Sequence, residues 1–274
     1  MAKTVLITGA SSGIGKATAK LFSQQRDWNV VATARTPAQA GFFGEGVLVL
    51  KLDVTDPKSI DEALVTTYNT FGGIDLLINN AGYGQYGLFE AISAEQAKAQ
   101  FDVNVFGVMN VTRAALPFLR AKGGGGVINI GSGAGLYTLP LMSLYCASKF
   151  ALEGFSEALA YELASQNIFV KLVEPHGGVT ETKFMERQNA DAALPDDALA
   201  AYDAYVEKVR QAFAGFAAAR TISAEDVAAV IFKAATDGRD DLRYLVGNDT
   251  RGFVAAWDGL ANADYVDYMR SKFK

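Results

Sequence analysis

Three glycines fall within eight residues, Thr8-Gly-Ala-Ser-Ser-Gly-Ile-Gly15, directly after the apolar run Val5-Leu-Ile-Thr8 and directly before a stretch of helical composition. Glycine at a strand-to-helix turn allows positive φ and leaves the backbone bare for close approach by another group. The N–H groups at the start of the following helix then point outward as an anion site. A turn of this kind at the first βα junction commits the chain to a fold whose opening unit can receive a phosphate-bearing ligand. Its spacing is Gly-x3-Gly-x-Gly, which is neither Gly-x-Gly-x-x-Gly nor a P-loop, since no Lys-Ser or Lys-Thr follows. A purely structural turn is the plainer reading of such glycines, and the position at the first junction weighs against it.

The rest of the chain continues the rhythm that this turn begins. Short β-branched runs recur at Val5–Thr8, Val30–Thr33, Val47–Leu52, Leu76–Asn79, Val127–Ile130 and Phe169–Val173, separated by helical stretches near 14–26, 57–71, 93–121 and 144–165. Strands that are apolar throughout, rather than alternating, predict a parallel sheet covered on both faces. The expected architecture is α/β: a Rossmann-type, doubly wound parallel sheet of right-handed βαβ units. No composition shift marks a boundary, so residues 1–274 read as one domain. Residues 183–220 break the rhythm. Leu199, Tyr202, Val206, Val209, Phe213 and Phe216 recur there at helical spacing, which fits a helix packing on the core or a helical lid over a substrate.

Composition narrows the function classes. A formal charge of −5 argues against a nucleic-acid or anionic-membrane partner, and no run of about 18 apolar residues predicts a membrane span. Cys146 is the only cysteine, which excludes an internal disulfide and fits a reducing compartment; with strand-like sequence beginning at Thr4, a cytoplasmic protein without a cleaved leader is expected. His176 is the only histidine and has no cysteine near it, so no metal site is expected.

Where a dinucleotide fold selects NAD, an acid after the second strand binds the ribose 2′-hydroxyl. Val30-Val-Ala-Thr-Ala-Arg35 puts Ala34 at that place and Arg35 next to it. A guanidinium there can grip a 2′-phosphate, with Ser11 or Ser12 as further donors, so NADP(H) is the expected cofactor. Tyr145 and Lys149 lie four apart in a helical stretch and therefore share a face. A phenol beside an ammonium is a tunable proton donor for a carbonyl oxygen, or a base for an alcohol. Ser132, after the fifth strand, can donate to the same oxygen.

Taken together, Thr8–Gly15, Asn79-Asn-Ala-Gly82, Asn104, Ser132 and Tyr145-Cys-Ala-Ser-Lys149 resemble the short-chain dehydrogenase/reductase family in order and spacing, over roughly residues 3–247. The resemblance implies a catalytic set of Asn104, Ser132, Tyr145 and Lys149, with Asn104 ordering a water that links Lys149 to solvent. It implies cofactor contacts from Gly9, Ser11, Ser12, Gly13, Ile14, Gly15 and Arg35. Asp53 would bind the adenine amino group with Val54 beside it, Asn80, Ala81 and Gly82 would pass beside the ribose, and Lys149 would hold the nicotinamide ribose. After the sixth strand the family's Pro-Gly is here Glu174-Pro-His-Gly-Gly-Val-Thr-Glu-Thr182, with His176 in place of glycine. Pro175, Gly178 and Val179 belong to this loop, and either Thr180 or Thr182 would reach the carboxamide. Helices near 105–121 and 144–165 imply a homodimer or homotetramer. Tyr83, Tyr86, Phe89, Tyr137, Leu139 and Met142 suggest an apolar pocket for a small carbonyl or alcohol substrate. The alternatives are a noncatalytic NADP-binding regulator on the same fold and a sugar-nucleotide epimerase.

Overall fold

The computed structural model describes residues 2–37, 46–176, 179, 197–218, 222–247 and 252–273. Among them, seven strands form one sheet: β1 (Lys3–Ile7), β2 (Trp28–Ala34), β3 (Val47–Lys51), β4 (Leu76–Asn79), β5 (Gly125–Ile130), β6 (Ile168–Pro175) and β7 (Arg243–Val246), in the order β3-β2-β1-β4-β5-β6-β7. Every pairing is parallel, with Val5 opposite Val30 on one side and opposite Leu76 on the other. Strand order reverses between β1 and β4, and a doubly wound sheet opens its binding crevice at that switch point.

The apolar strand runs have a simple cause, since both faces of the sheet are covered. Val5, Ile7, Val30, Ala32 and Ile78 pack on one face against Phe22 of α1 (Gly13–Ser23) and Val227 and Ile231 of α7 (Ala224–Thr236). The alternate residues Leu6, Val31, Leu77 and Val127 face α2 (Pro57–Phe71), α4 (Val108–Ala121) and α5 (Ser143–Ala164) through Ile60, Val111, Leu119 and Leu159. Burying about 2 kcal/mol per large apolar side chain on two faces is what makes the sheet the organising element. Asn79 and Asn129, inside adjacent strands, pair at 2.8 Å and are tied to Thr112 of α4 and Ser156 of α5.

Three features differ from the sequence expectation. The helical stretch 93–121 is divided into α3 (Ala94–Phe101) and α4 by a π-helical segment, Asp102–Gly107. A seventh strand, β7, follows α7; its run Arg-Tyr-Leu-Val is too short and too mixed to stand out. Two further helices, α8 (Phe253–Gly259) and α9 (Asn262–Ser271), lie beyond it. They give α6 (Asp203–Ala218) its packing partner: Val206 and Val209 are buried in one cluster with Phe253, Tyr265, Met269 and Phe273. Of the 183–220 segment, residues 183–196, 219 and 220 lie outside the described residues, as does the side chain of Phe216. No helix among the described residues is long and apolar enough to cross a membrane.

Candidate active site

The glycine turn at the carboxyl end of β1 is built without side chains where other backbone closes on it. Gly9 has φ +68°, and a Cβ there would stand 2.8 Å from Ala81 Cα; a Cβ on Gly15 would stand 2.4 Å from Asn80 Nδ2. The Asn80 amide donates to the carbonyls of Thr8 and Gly9 at 2.9 and 3.0 Å. The Thr8 hydroxyl accepts from the backbone N–H groups of Asn80 and Ala81, both at 3.0 Å. The Asn80–Ala81 end of β4 thus clamps the turn itself, a contact between distant segments that spacing along the chain does not reveal. Ser12 occupies the N-cap of α1 with extended backbone and no side-chain capping bond, and the first turn carries no acid. Ser11, Gly13 and Ile14 complete the turn, with the Ile14 side chain packed against the core.

The neighbouring strand ends converge on this turn. Ala10 N–H donates to Thr33 O at 2.8 Å, which ties it to β2, where Ala34 is buried and Arg35 is exposed. Asp53 follows β3; its Oδ1 accepts from Thr55 N–H at 3.0 Å and from Thr55 Oγ1 at 2.7 Å, and Val54 beside it is buried. The α2 N-cap is Asp56, so Asp53 is not the capping residue.

On the other side of the switch point stand the residues expected to carry chemistry. Asn104 sits in the π-helical segment, a kind of irregularity that often accompanies functional sites. Its amide donates to Tyr83 O at 2.8 Å and to Ser148 Oγ at 3.2 Å, and its Oδ1 accepts from Tyr83 N–H at 3.1 Å. Ser148 in turn donates to Tyr145 O at 2.7 Å. A Cβ on Gly82 would stand 3.2 Å from Asn104 Oδ1. Tyr145 and Lys149, on α5, are both buried, and the Lys149 ammonium lies 5.8 Å from the Tyr145 ring centre. Ser132 follows β5, and its hydroxyl is hydrogen-bonded with the Tyr145 side chain. The structure therefore brings Ser132, Tyr145 and Lys149 together, with Asn104 bracing the backbone beneath them.

Burial sets the electrostatics of this pair. Here burial dominates and raises the Tyr145 phenol above its ordinary value, against the opposing Ser132 hydrogen bond. The Lys149 ammonium donates instead to Ile130 O at 2.8 Å, and burial pulls its own pKa down to about 8, opposed by the nearby Glu153 carboxylate. A buried cation seeks the nearest carbonyl, and that partner lies at the end of β5, not on the helix.

Beside Tyr145 the wall is apolar. Met142, Ala134 and Cys146 pack with it, flanked by Tyr86, Leu139 and Phe213. Phe213 comes from α6, its ring 6.2 Å from that of Tyr86. Tyr137 turns instead toward Phe253, and Phe89 is 67% exposed. Pro175 ends β6, His176 is buried, and Val179 bridges Ile222; Gly178, Thr180 and Thr182 lie outside the described residues. No metal-binding group of three or more His, Cys, Asp or Glu occurs among the described residues. The sequence reading missed Thr8 as a brace and the buried acids Glu153 and Glu174. The acids carried a signal, because each interrupts an apolar run, Phe150-Ala-Leu-Glu153 and Leu172-Val-Glu174.

A family model for short chain dehydrogenases matches residues 3–193. The uncharacterized oxidoreductase C162.03 of Schizosaccharomyces pombe is 44% identical over 180 residues, which is 65% of this chain and 61% of that relative's length. Two solved structures share the fold nearly end to end. A short-chain dehydrogenase/reductase from Burkholderia phymatum in complex with NAD is 25% identical, with a TM-score of 0.75 and coverage of 94% of this chain and 92% of that one. A serine dehydrogenase in its closed form with NADP+ is 27% identical, with a TM-score of 0.73 and coverage of 88% and 93%.

Proposed function

Because this chain belongs to the short-chain dehydrogenase family, we propose that it is an NADP(H)-dependent oxidoreductase acting between the carbonyl and alcohol forms of a small apolar substrate. The observation that carries this reading is the contact of Ser132 with the Tyr145 phenol, with Lys149 one helical turn along. A binding protein that performed no chemistry would have no need to bury a phenol and an ammonium together, which disfavours the regulatory alternative.

The turn fits a dinucleotide. It offers glycine backbone at Gly13 (φ +53°) where α1 begins, an N-cap at Ser12 without a competing side-chain bond, and no acid in the first turn of α1 to repel a pyrophosphate. Related structures hold NAD or NADP+. Exposed Arg35 directly after Ala34, with no acid at either position, favours the 2′-phosphate form. Asp53 and Val54 would lie against the adenine, Asn80, Ala81 and Gly82 would pass the ribose, and the loop from Pro175 through Gly178 and Val179 to Thr180 or Thr182 would face the carboxamide.

When bound, the nicotinamide supplies or accepts the hydride. Ser132 and Tyr145 would orient the substrate oxygen between two hydroxyl donors. In reduction the Tyr145 phenol, kept protonated by burial, would give its proton to that oxygen as negative charge develops there. Lys149 would hold the ribose and stabilise the phenolate left behind, and Asn104 would fix the Tyr83–Ser148 backbone around the path that returns the proton. We also propose that residues 1–274 form one domain. Exposed Phe106 and Tyr161 on the two helical regions support a homodimer or homotetramer.

The test is loss of NADPH absorbance with a panel of apolar ketones and aldehydes. Turnover of at least one class, lost with Tyr145→Phe, is the expected result. Tight NADPH binding with no turnover across the panel would favour the regulatory reading.

A further inference from the structure

Two acidic side chains are buried directly behind the proposed catalytic groups. Glu153 lies on α5 one turn beyond Lys149 and is 7% exposed, while Glu174 lies on β6 just before Pro175 and is 0% exposed. Both pack under the loop that carries Ser132. A Cβ on Gly131 would stand 3.1 Å from Glu174 Cγ and 3.4 Å from Glu153 Oε1, and one on Gly135 would stand 3.1 Å from Glu153 Cγ. Those two glycines leave the space that the carboxyl groups fill. Glu153 Oε2 accepts from Arg243 Nε at 2.9 Å. The three remaining oxygens, Glu153 Oε1 and both oxygens of Glu174, meet no donor among the described residues. Two ionised carboxylates cannot face one another in such a site, because each repels the other and neither is solvated. One proton removes both problems by turning one carboxyl group into a donor.

We infer that Glu174 is held as a neutral carboxylic acid donating to Glu153 Oε1, and that this proton-sharing pair, anchored by Arg243, positions Lys149 and the Ser132 loop. The part that concerns Lys149 rests on the function proposed above. The proton belongs on Glu174 because the cation touches Glu153. Burial, then the facing Glu153, push the Glu174 carboxyl far above the usual carboxylate range, and Arg243 only partly opposes them. Nearby on the same segments lie Lys149 and Glu157 on α5 and His176, two residues beyond Glu174; Glu157 takes the second arm of Arg243 and a hydrogen bond from Tyr161. Glu153 is thus a positioning residue whose single negative charge keeps the buried Lys149 cationic.

Two measurements need neither substrate nor cofactor. Infrared spectra of the wild type near neutral pH should contain the C=O band of a buried carboxylic acid, which Glu174→Gln removes. The native state also keeps a proton that the unfolded chain releases above the ordinary Glu pKa. The wild-type unfolding constant should therefore rise with pH, relative to Glu174→Gln, by up to about tenfold per unit between about pH 5 and 7. Absence of the band, or parallel stability curves, overturns the pair; if Glu174→Gln fails to fold, the wild-type band decides. For the positioning role, Glu153→Gln should move the alkaline limb of kcat/KM, where Lys149 titrates, to lower pH, and an unmoved limb overturns that role. An enzyme silent on every substrate but still showing the acid band would refute the proposed reaction and leave the pair standing.

Discussion

Tyr145 and Lys149 are four residues apart, and that interval alone predicts a shared helix face, which the structure shows. What the interval does not contain is the environment. Tyr145→Phe should cut kcat by about 10²–10⁴, the range of general acid catalysis, while NADPH affinity measured by fluorescence titration stays within about threefold. A variant keeping a tenth of wild-type kcat would displace Tyr145 as the acid. Lys149 makes a thermodynamic prediction as well. Its native pKa is depressed to about 8 from an unfolded value of 10.5. The charged form is therefore disfavoured by folding, so the group costs stability below pH 8, and that cost fades as pH rises toward 10.5. Lys149→Met should abolish turnover yet raise unfolding stability by about 2 kcal/mol at pH 7, with the gain shrinking above pH 8. Denaturant titrations at several pH values check this, and an equal or lower stability at pH 7 would show that the Ile130 hydrogen bond outweighs desolvation.

At the level of elements, the first βα turn was the most legible feature, because three glycines and a flanking strand define it locally. Its clamp was not legible, since Asn80 reaches the turn only after β4 pairs with β1. The division of residues 93–121 was hidden for a related reason, because a π-helical segment keeps helical composition on both sides. The apolar stripe of α6 was visible, but not its partners α8 and α9, whose short helices have weak periodicity. Among the described side chains of that stripe, Phe213 reaches the cluster around Tyr145. Phe213→Ala should therefore raise KM for apolar carbonyls by about 5- to 30-fold, equivalent to about 1–2 kcal/mol of lost apolar contact, with a smaller change in kcat. A KM unchanged for every apolar substrate would leave α6 as core packing only. Hydrogen exchange over α6 with and without ligand gives a second check on a lid.

For the whole molecule, the doubly wound sheet was legible because strands apolar along their whole length fit only a sheet covered on both sides. The observed order 3-2-1-4-5-6-7 then puts the glycine turn and the Ser132 loop on either side of one crevice. The seventh strand was not legible because edge strands need less apolar sequence. A cofactor lying in that crevice would bind only the folded chain, so its affinity reads out as global stability. At a concentration of about 100 Kd, NADPH should add about 2.7 kcal/mol, which for a chain of this size raises Tm by roughly 5 °C. Charge-assisted hydrogen bonds from Arg35 to a 2′-phosphate contribute about 1.5–3 kcal/mol, so Arg35→Ala should weaken NADPH ten- to a hundredfold. At the same NADPH concentration the Tm shift should then fall to about 1–3 °C, while the shift with NADH is unchanged. Adding Ala34→Asp should raise the NADH shift, because a carboxylate at the end of β2 accepts from the ribose 2′-hydroxyl and repels a phosphate. Salt should erode the NADPH shift more than the NADH shift, since only the former includes an exposed ion pair to be screened. Equal shifts with the two cofactors in the wild type, unaltered by Arg35→Ala, would reduce Arg35 to a solvated surface residue and leave cofactor choice to some other contact.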